Sequence, residues 1–405
     1  MKLNRWTAAL AAAGVVTIPS LLQAQTNSIL TALSSTTLSG YVDTSAQWNF
    51  GTGNANNPPV AFQSGKADGF NLNVVDVALD KPEDDSLWAS GYHVELWFGP
   101  DANALGTQST GTGADFAIRQ AYVTLKTPVG NGIDWKLGVF DTIIGYESFS
   151  SPNNPNYTHS YGFTAEPGQH TGLLGTYTVN DSLSVSAGIA DTLASSRING
   201  RAPTESFKTY MAAITYTAST NAGWLGGSTL TAGVVNGFNN GATAEGTPDK
   251  ETSVYVGGTL STPVTGLKLG ASLDFEDLHN YQAVTGEGND GSVWAAALYA
   301  SFQATDKLAL NLRGEWVDDR ADLLANASDF NGNTAPSSGP SSFRAIAMTA
   351  TAQYDLWKNV LSRVEFRWDH AESAHLFGGS VAGNSGGFPS RRNAFMLAAN
   401  IIYKF

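Results

Sequence analysis

A 405-residue chain with a formal net charge of -13 is a poor partner for nucleic acid, which needs clustered Lys and Arg against phosphate. Charged residues make up only 14% of it, below the roughly 25% usual in soluble domains, yet a mean hydropathy of -0.13 excludes a bundle of membrane helices. There is no Cys, which excludes disulfide scaffolds and Cys-based metal or catalytic centres.

In chain order, Lys2 and Arg5 come first, ahead of the apolar AALAAAGVVTIPSLL. With cleavage expected after Ala24, residues 1–24 read as a secretory signal peptide and 25–405 as one exported domain. Beyond it the dominant signal has period two. In TLSGYVDTSAQWNF, Leu38, Val42, Ala46, Trp48 and Phe50 share one face, with Tyr41, Asp43, Ser45 and Gln47 on the other. SLWASGYHVELWF sets Tyr92, Val94, Leu96 and Phe98 against His93 and Glu95. KLALNLRGEW opposes Leu308, Leu310, Leu312 and Trp316 to Asn311, Arg313 and Glu315. VLSRVEFRWDH alternates Val364, Phe366 and Trp368 with Arg363, Glu365, Arg367 and Asp369.

About sixteen such segments recur, each of roughly the ten residues that a tilted strand needs to cross a bilayer. They fall at 38–50, 69–79, 87–98, 116–126, 133–141, 169–179, 182–190 and 206–217, then at 228–237, 252–260, 267–275, 292–303, 307–317, 344–354, 360–369 and 393–405. Two are irregular. The apolar face of 69–79 switches at Val74–Val75, which predicts a bulge, and alternation in 116–126 leaves the side of Arg119 open. Short connections such as KPEDDS and QATDK alternate with long Gly/Asn/Ser-rich ones at 51–68, 99–115, 142–168, 191–205, 238–251, 276–291, 318–343 and 370–392. The predicted fold is all-β, a transmembrane antiparallel up-and-down β-barrel with short periplasmic turns and long outer loops. Lipid offers no partner to a free strand edge, so the first and last strands must pair and the last must reach the chain end. Trp48, Trp97, Trp316 and Trp368 near loop ends, with Trp88, Trp135, Tyr403 and Phe405 near turn ends, read as interfacial aromatic girdles.

SGYVDTSAQWNF, RQAYVTLKTP, KLGVFDTIIGYESF, SPNNPNYTHSYGFTAEPGQHTG and the terminal aromatic together resemble the OmpL-like β-barrel porin family of Gram-negative outer membranes. The resemblance spans essentially the whole mature chain. It implies passive diffusion of small hydrophilic solutes and ions, a homotrimer, and a third outer loop folded into the barrel. The terminal Phe405 resembles the signal read by the barrel-assembly machinery.

Candidate pore-lining residues are Arg313, Glu315, Lys136, Arg363, Glu365, Arg367 and Asp369 on the lumen face, with 142–168 as the candidate constriction loop. Glu147 and Glu166 of that loop, with Asp141 at its entry, are expected to face the basic wall of Arg313, Arg363 and Arg367. The loop's Tyr and Phe residues would pack it inside the barrel. No catalytic, cofactor or metal motif is present. His370 and His375 read as solvated loop residues, and VDDRAD and EGND as solvated outer-loop charge, although such clusters also suit Ca²⁺ or divalent-bridged lipopolysaccharide. The alternatives are a substrate-selective channel, with the loop's aromatic rings stacking on sugars, and a closed barrel acting as adhesin or structural anchor.

Overall fold

The computed structural model describes residues 35–51, 57–63, 66–105, 107, 115–191, 193, 198–200, 207–242, 248–282, 288–321, 323–324, 343–372, 375–378 and 390–405. The expected signal peptide at 1–24 lies outside them. The strands are β1 (Thr37–Trp48), β2 (Gly69–Lys81), β3 (Ser90–Phe98), β4 (Phe116–Thr127), β5 (Ile133–Asp141), β6 (Gln169–Asn180), β7 (Leu183–Ala190) and β8 (Thr209–Thr217). They continue as β9 (Thr229–Ala242), β10 (Pro248–Ser261), β11 (Leu267–Gln282), β12 (Gly288–Gln303), β13 (Leu308–Asp319), β14 (Phe343–Trp357), β15 (Val360–Ala371) and β16 (Asn393–Lys404). Each pairs antiparallel with its neighbours in sequence, and β1 pairs with β16, so the sheet of sixteen strands closes on itself. Two short helices, α1 (Pro100–Leu105) and α2 (Tyr161–Ala165), sit in the second and third long loops.

Alternation explains the wall. Leu38, Phe70, Leu298, Val364 and Ile401 point outward and are exposed, while Asp43, Arg313, Arg363 and Asn400 point inward and are buried. At the seam, Tyr41 lies opposite Lys404 and Trp48 opposite Leu397. Beyond it the terminal residue completes the pairing. Gly40 N donates to the Phe405 carbonyl at 3.1 Å and Phe405 N donates to the Gly40 carbonyl at 3.0 Å.

Both irregular strands are bulged. On β2, Asp43 faces Val74 and Thr44 faces Leu72, which leaves Asn73 as the extra residue. It turns inward, donates to Asp43 at 3.0 Å and accepts from Ser45 at 3.0 Å. On β4, Glu95 faces Gln120 and Leu96 faces Ile118, so Arg119 is the extra residue and points into the lumen. A bulge re-aims one side chain and reverses the parity of the residues beyond it.

Three expectations are corrected. Trp97 belongs to no outer girdle: it is buried on the lumen side beside Arg119, as its parity with His93 and Glu95 requires. Segments 238–251 and 276–291 are largely strand, because β9–β10 and β11–β12 extend well past the expected ends and leave only 243–247 and 283–287 between them. Their Asn, Asp and His residues disguise continued pairing outside the apolar band. His370 lies on β15 rather than in the loop after it.

At the loop end, Val293, Ala295, Val317, Phe343, Ala345, Ala347, Ala371 and Ala394 make the inner face of β12–β16 apolar. Val60, Tyr161, Ala165, Leu324 and Phe377, from the loops and α2, pack on this face. One side of the barrel mouth is therefore filled from within.

Candidate functional site: a loop latched inside the barrel

Residues 142–168 leave β5, cross the lumen and return as β6. Pro152 and Pro155 cannot extend a strand ladder, and Ser160 starts α2 by accepting from Phe163 N at 3.1 Å. The loop leans first on the β9–β12 wall. There Tyr146 stacks on Tyr299 with ring centroids 4.1 Å apart, and its hydroxyl meets Thr259 Oγ1 at 3.1 Å. It then reaches the opposite side, where the Tyr157 hydroxyl donates to Ser45 of β1 at 3.0 Å.

The arginines of β13 and β15 hold this crossing. Arg363 donates to the carbonyls of Ser151, Asn154 and Asn156 at 3.2, 3.0 and 2.8 Å. Arg313 donates to the carbonyls of Thr158 and His159 at 2.6 and 3.0 Å, and Arg367 reaches the His159 carbonyl at 2.8 Å. Glu365 takes the complementary role, accepting from Tyr157 N at 2.6 Å, Thr158 N at 2.9 Å and the Thr158 hydroxyl at 2.6 Å. Glu315 accepts from Tyr161 N at 2.8 Å, and Asp369 accepts from the Tyr161 hydroxyl at 2.7 Å. Guanidinium groups and carboxylates buried this deeply survive only when paired and hydrogen-bonded. Arg313 and Arg367 meet that condition through Glu315 at 2.7 and 3.3 Å and, for Arg367, Asp369 at 2.8 Å.

The structure thus brings together Arg313, Glu315, Arg363, Glu365, Arg367, Asp369 and Glu147, but as a latch under the loop. All three arginines are 0–1% exposed. Glu147 is the loop's own contribution, bonded to Arg313 at 3.0 Å, His159 Nδ1 at 3.0 Å and the Tyr299 hydroxyl at 3.0 Å. Burial opposes its ionisation, yet Arg313, His159 and the Ser160 N–H together hold its carboxyl down to about 2. The other expected partners lie elsewhere. Asp141 pairs with Arg119, whose Nη2 donates to it at 2.7 Å, and Lys136 Nζ lies 4.7 Å from the centre of the Tyr122 ring. Glu166 does not face the basic wall, because α2 turns its carboxyl toward Asp274 of β11.

Glu166 and Asp274 form a second contact of opposite character. Neither Asp274 oxygen meets an N–H or hydroxyl donor among the described residues. The Glu166 carboxyl folds over Gly145, whose φ of 115° is open to glycine, and Asp274 presses against Gly162. Glu147, Tyr146, Tyr255 and Glu276 lie close to the pair, and none of these four supplies a positive charge. Among the described residues no three His, Asp or Glu side chains converge as metal ligands. Two abutting carboxyls without a cation share a proton, and burial, followed by Asp274, raises the Glu166 carboxyl well above its ordinary 4.5. Its contribution to docking is accordingly full below pH 4.5 and declines as pH rises through the elevated value. Hydrogen exchange of 142–168 is expected to accelerate from pH 4.5 upward, beyond the intrinsic pH effect on exchange, and Glu166→Gln is expected to abolish that excess. The same excess in the variant would remove Glu166 from this role.

The other half of the lumen holds an open space at its turn end. A cavity of about 530 Å³ lies below the loop at the turn end, between it and β9–β14, lined by Tyr146, Tyr255, Lys268, Tyr299, Asn311 and Gln353 among others. Small hydroxyl pairs, Thr176 with Ser186 at 2.9 Å and Thr215 with Thr231 at 3.0 Å, face the lumen on β6–β9. None of Lys268, Tyr255 and Asp274 was singled out from the sequence. KLGASLDFED places Lys268, Ser272, Asp274 and Glu276 on one face, although alternation does not say which of them the loop covers.

The family model described as "Putative beta-barrel porin-2, OmpL-like" matches residues 35–405. No curated protein sequence matches the chain. Among solved structures, the fold is similar to the anion-selective porin from Comamonas acidovorans, with a TM-score of 0.60, 13% identity, and coverage of 92% of this chain and 99% of that one. In vitro folded OmpT of Vibrio cholerae, in a trimer form, gives 0.55 and 14%, covering 91% and 99%. OmpF of Salmonella typhi, in complex with daunomycin, gives 0.58 and 14%, covering 91% and 97%.

Proposed function

The chain belongs to the OmpL-like β-barrel porin family, and from that membership we propose that solutes cross along the open side of the lumen, past a loop fixed against the other side. It is a porin of the Gram-negative outer membrane, a water-filled channel for passive diffusion of small hydrophilic solutes and ions. The observation that carries the proposed route is the division of the lumen. Arg313, Arg363, Arg367 and Glu365 hold 142–168 against β13–β15, while the cavity of about 530 Å³ stands on the β9–β14 side at the turn end. A barrel of this strand number leaves an aqueous channel unless a loop narrows it. Fixed in this way, 142–168 sets the size limit mechanically, and no covalent chemistry or cofactor is required.

The latch changes what the arginines do. Arg313, Arg363 and Arg367 position the constriction, and the field that a permeating ion meets is set by charges on the open side such as Lys136 and Lys268. Three further elements belong to the same reading: export through the signal peptide at 1–24, assembly through the terminal Phe405, and a homotrimer set in lipid and lipopolysaccharide. Planar-bilayer recording of the refolded protein tests both channel and assembly. Steady ohmic steps closing in groups of three are expected, and an absence of conductance would overturn the open-channel route.

A further inference from the structure

The cavity beneath the loop has an uneven hydrogen-bonding chemistry. Among the described residues no Asp or Glu side chain lines it. Its cation is Lys268, placed inward by the parity of β11 and free of any ion pair or hydrogen bond among the described residues. Tyr255, Ser301 and Gln353 also line it, with polar groups that meet no hydrogen-bond partner among the described residues. Of the carboxyls near it, Glu147 bonds the Tyr299 hydroxyl and Arg313, Glu166 abuts Asp274, and none of the three is among the described residues that line the cavity. The Pro155 carbonyl, one of the acceptors that the loop brings here, is already taken by Asn311 at 2.9 Å. What remains is one positive charge with unsatisfied hydroxyl and amide donors around it, in a chain whose net charge is -13.

We infer that this vestibule is a subsite for small organic carboxylates, with Lys268 as its specificity-determining residue. This inference rests on the porin reading and assigns it a solute class. A carboxylate fits because the ammonium supplies a charge-assisted bond to one oxygen while hydroxyl or amide donors serve the other. A neutral polyol gains from the donors alone. An inorganic or organic cation would meet Lys268 with no compensating carboxylate among the described residues of the cavity wall.

The test uses the full-length protein in planar bilayers, with potassium benzoate and glucose as probes in a potassium chloride background. Benzoate is expected to reduce the wild-type current in a concentration-dependent way, while glucose at the same concentration has little effect. Lys268→Gln should raise the half-blocking benzoate concentration roughly fivefold, the effect of one unit charge near contact in water. Lys268→Glu should lower the anion-to-cation permeability ratio further. Lys81→Gln, at the turn end of β2 and across the barrel from the cavity wall, should leave benzoate block unchanged. Equal block of wild type and Lys268→Gln, or equal block by glucose, overturns the inference and leaves the channel standing. No wild-type conductance overturns both.

Discussion

Glu365→Ala is expected to raise single-channel conductance severalfold and to make it noisy, because it unlatches the constriction. Glu365 is 0% exposed and accepts four hydrogen bonds: from Tyr157 N, Thr158 N, and the hydroxyls of Thr158 and Thr351. Alanine strands those donors and removes a counter-charge from the cluster around Arg363. Each buried donor left without its acceptor costs about 1–3 kcal/mol, so losing this set costs on the order of 3 kcal/mol or more. At 1.4 kcal/mol per tenfold, that shifts the docked-to-released ratio of the loop by roughly a hundredfold or more. The barrel wall should survive, since its main-chain ladder does not involve the side chain. Heat-modifiable electrophoretic mobility and strand content by circular dichroism should therefore match wild type, while 142–168 loses hydrogen-exchange protection. Unchanged conductance together with unchanged protection would show that Glu365 does not hold the loop. Neutralising Arg363 should act in the same direction, through released carbonyls rather than through a lost pore charge.

The second large effect is expected at the seam. Gly40 and Phe405 exchange both main-chain bonds at the turn end of the barrel. A Cβ at Gly40 would overlap the Asp76 carbonyl and sit 2.8 Å from the Phe405 ring, which covers the glycine. Gly40→Val must therefore push β1 away from β2 or displace the terminal ring. Strand edges left open in lipid have no alternative partner, at several kcal/mol for each unsatisfied group. Gly40→Val should thus sharply reduce the yield of folded, heat-modifiable barrel. Deleting Phe405 should do the same, by removing both seam bonds and the ring over Gly40. Molecules that do insert should conduct like wild type, because neither change reaches the loop. Wild-type folding yield for both variants would refute this account of the seam.

Much of the wall was legible because a strand in a barrel has one local rule. Leu38 through Phe50, Leu308 through Trp316 and Val364 through Trp368 read correctly one residue at a time. Even the two failures of alternation marked real features, the bulges at Asn73 and Arg119. Trp97 was misread where its own parity was set aside for its closeness to a loop, and 238–251 and 276–291 where polarity was taken for the absence of pairing.

By itself, then, the sequence determined about how many strands there are, which face of the regularly alternating ones meets lipid, and which loop is long and aromatic enough to enter the lumen. Only the tertiary structure decided which charges meet. Glu147 and Glu166 lie in the same loop, yet one binds Arg313 and the other Asp274, because α2 turns the chain between them. Arg363 carries the same sequence signal whether it faces water or three loop carbonyls. Period two is a property of a strand and its two faces. Contacts across a lumen depend on strand tilt, bulges and the path of a loop, and no local pattern encodes them.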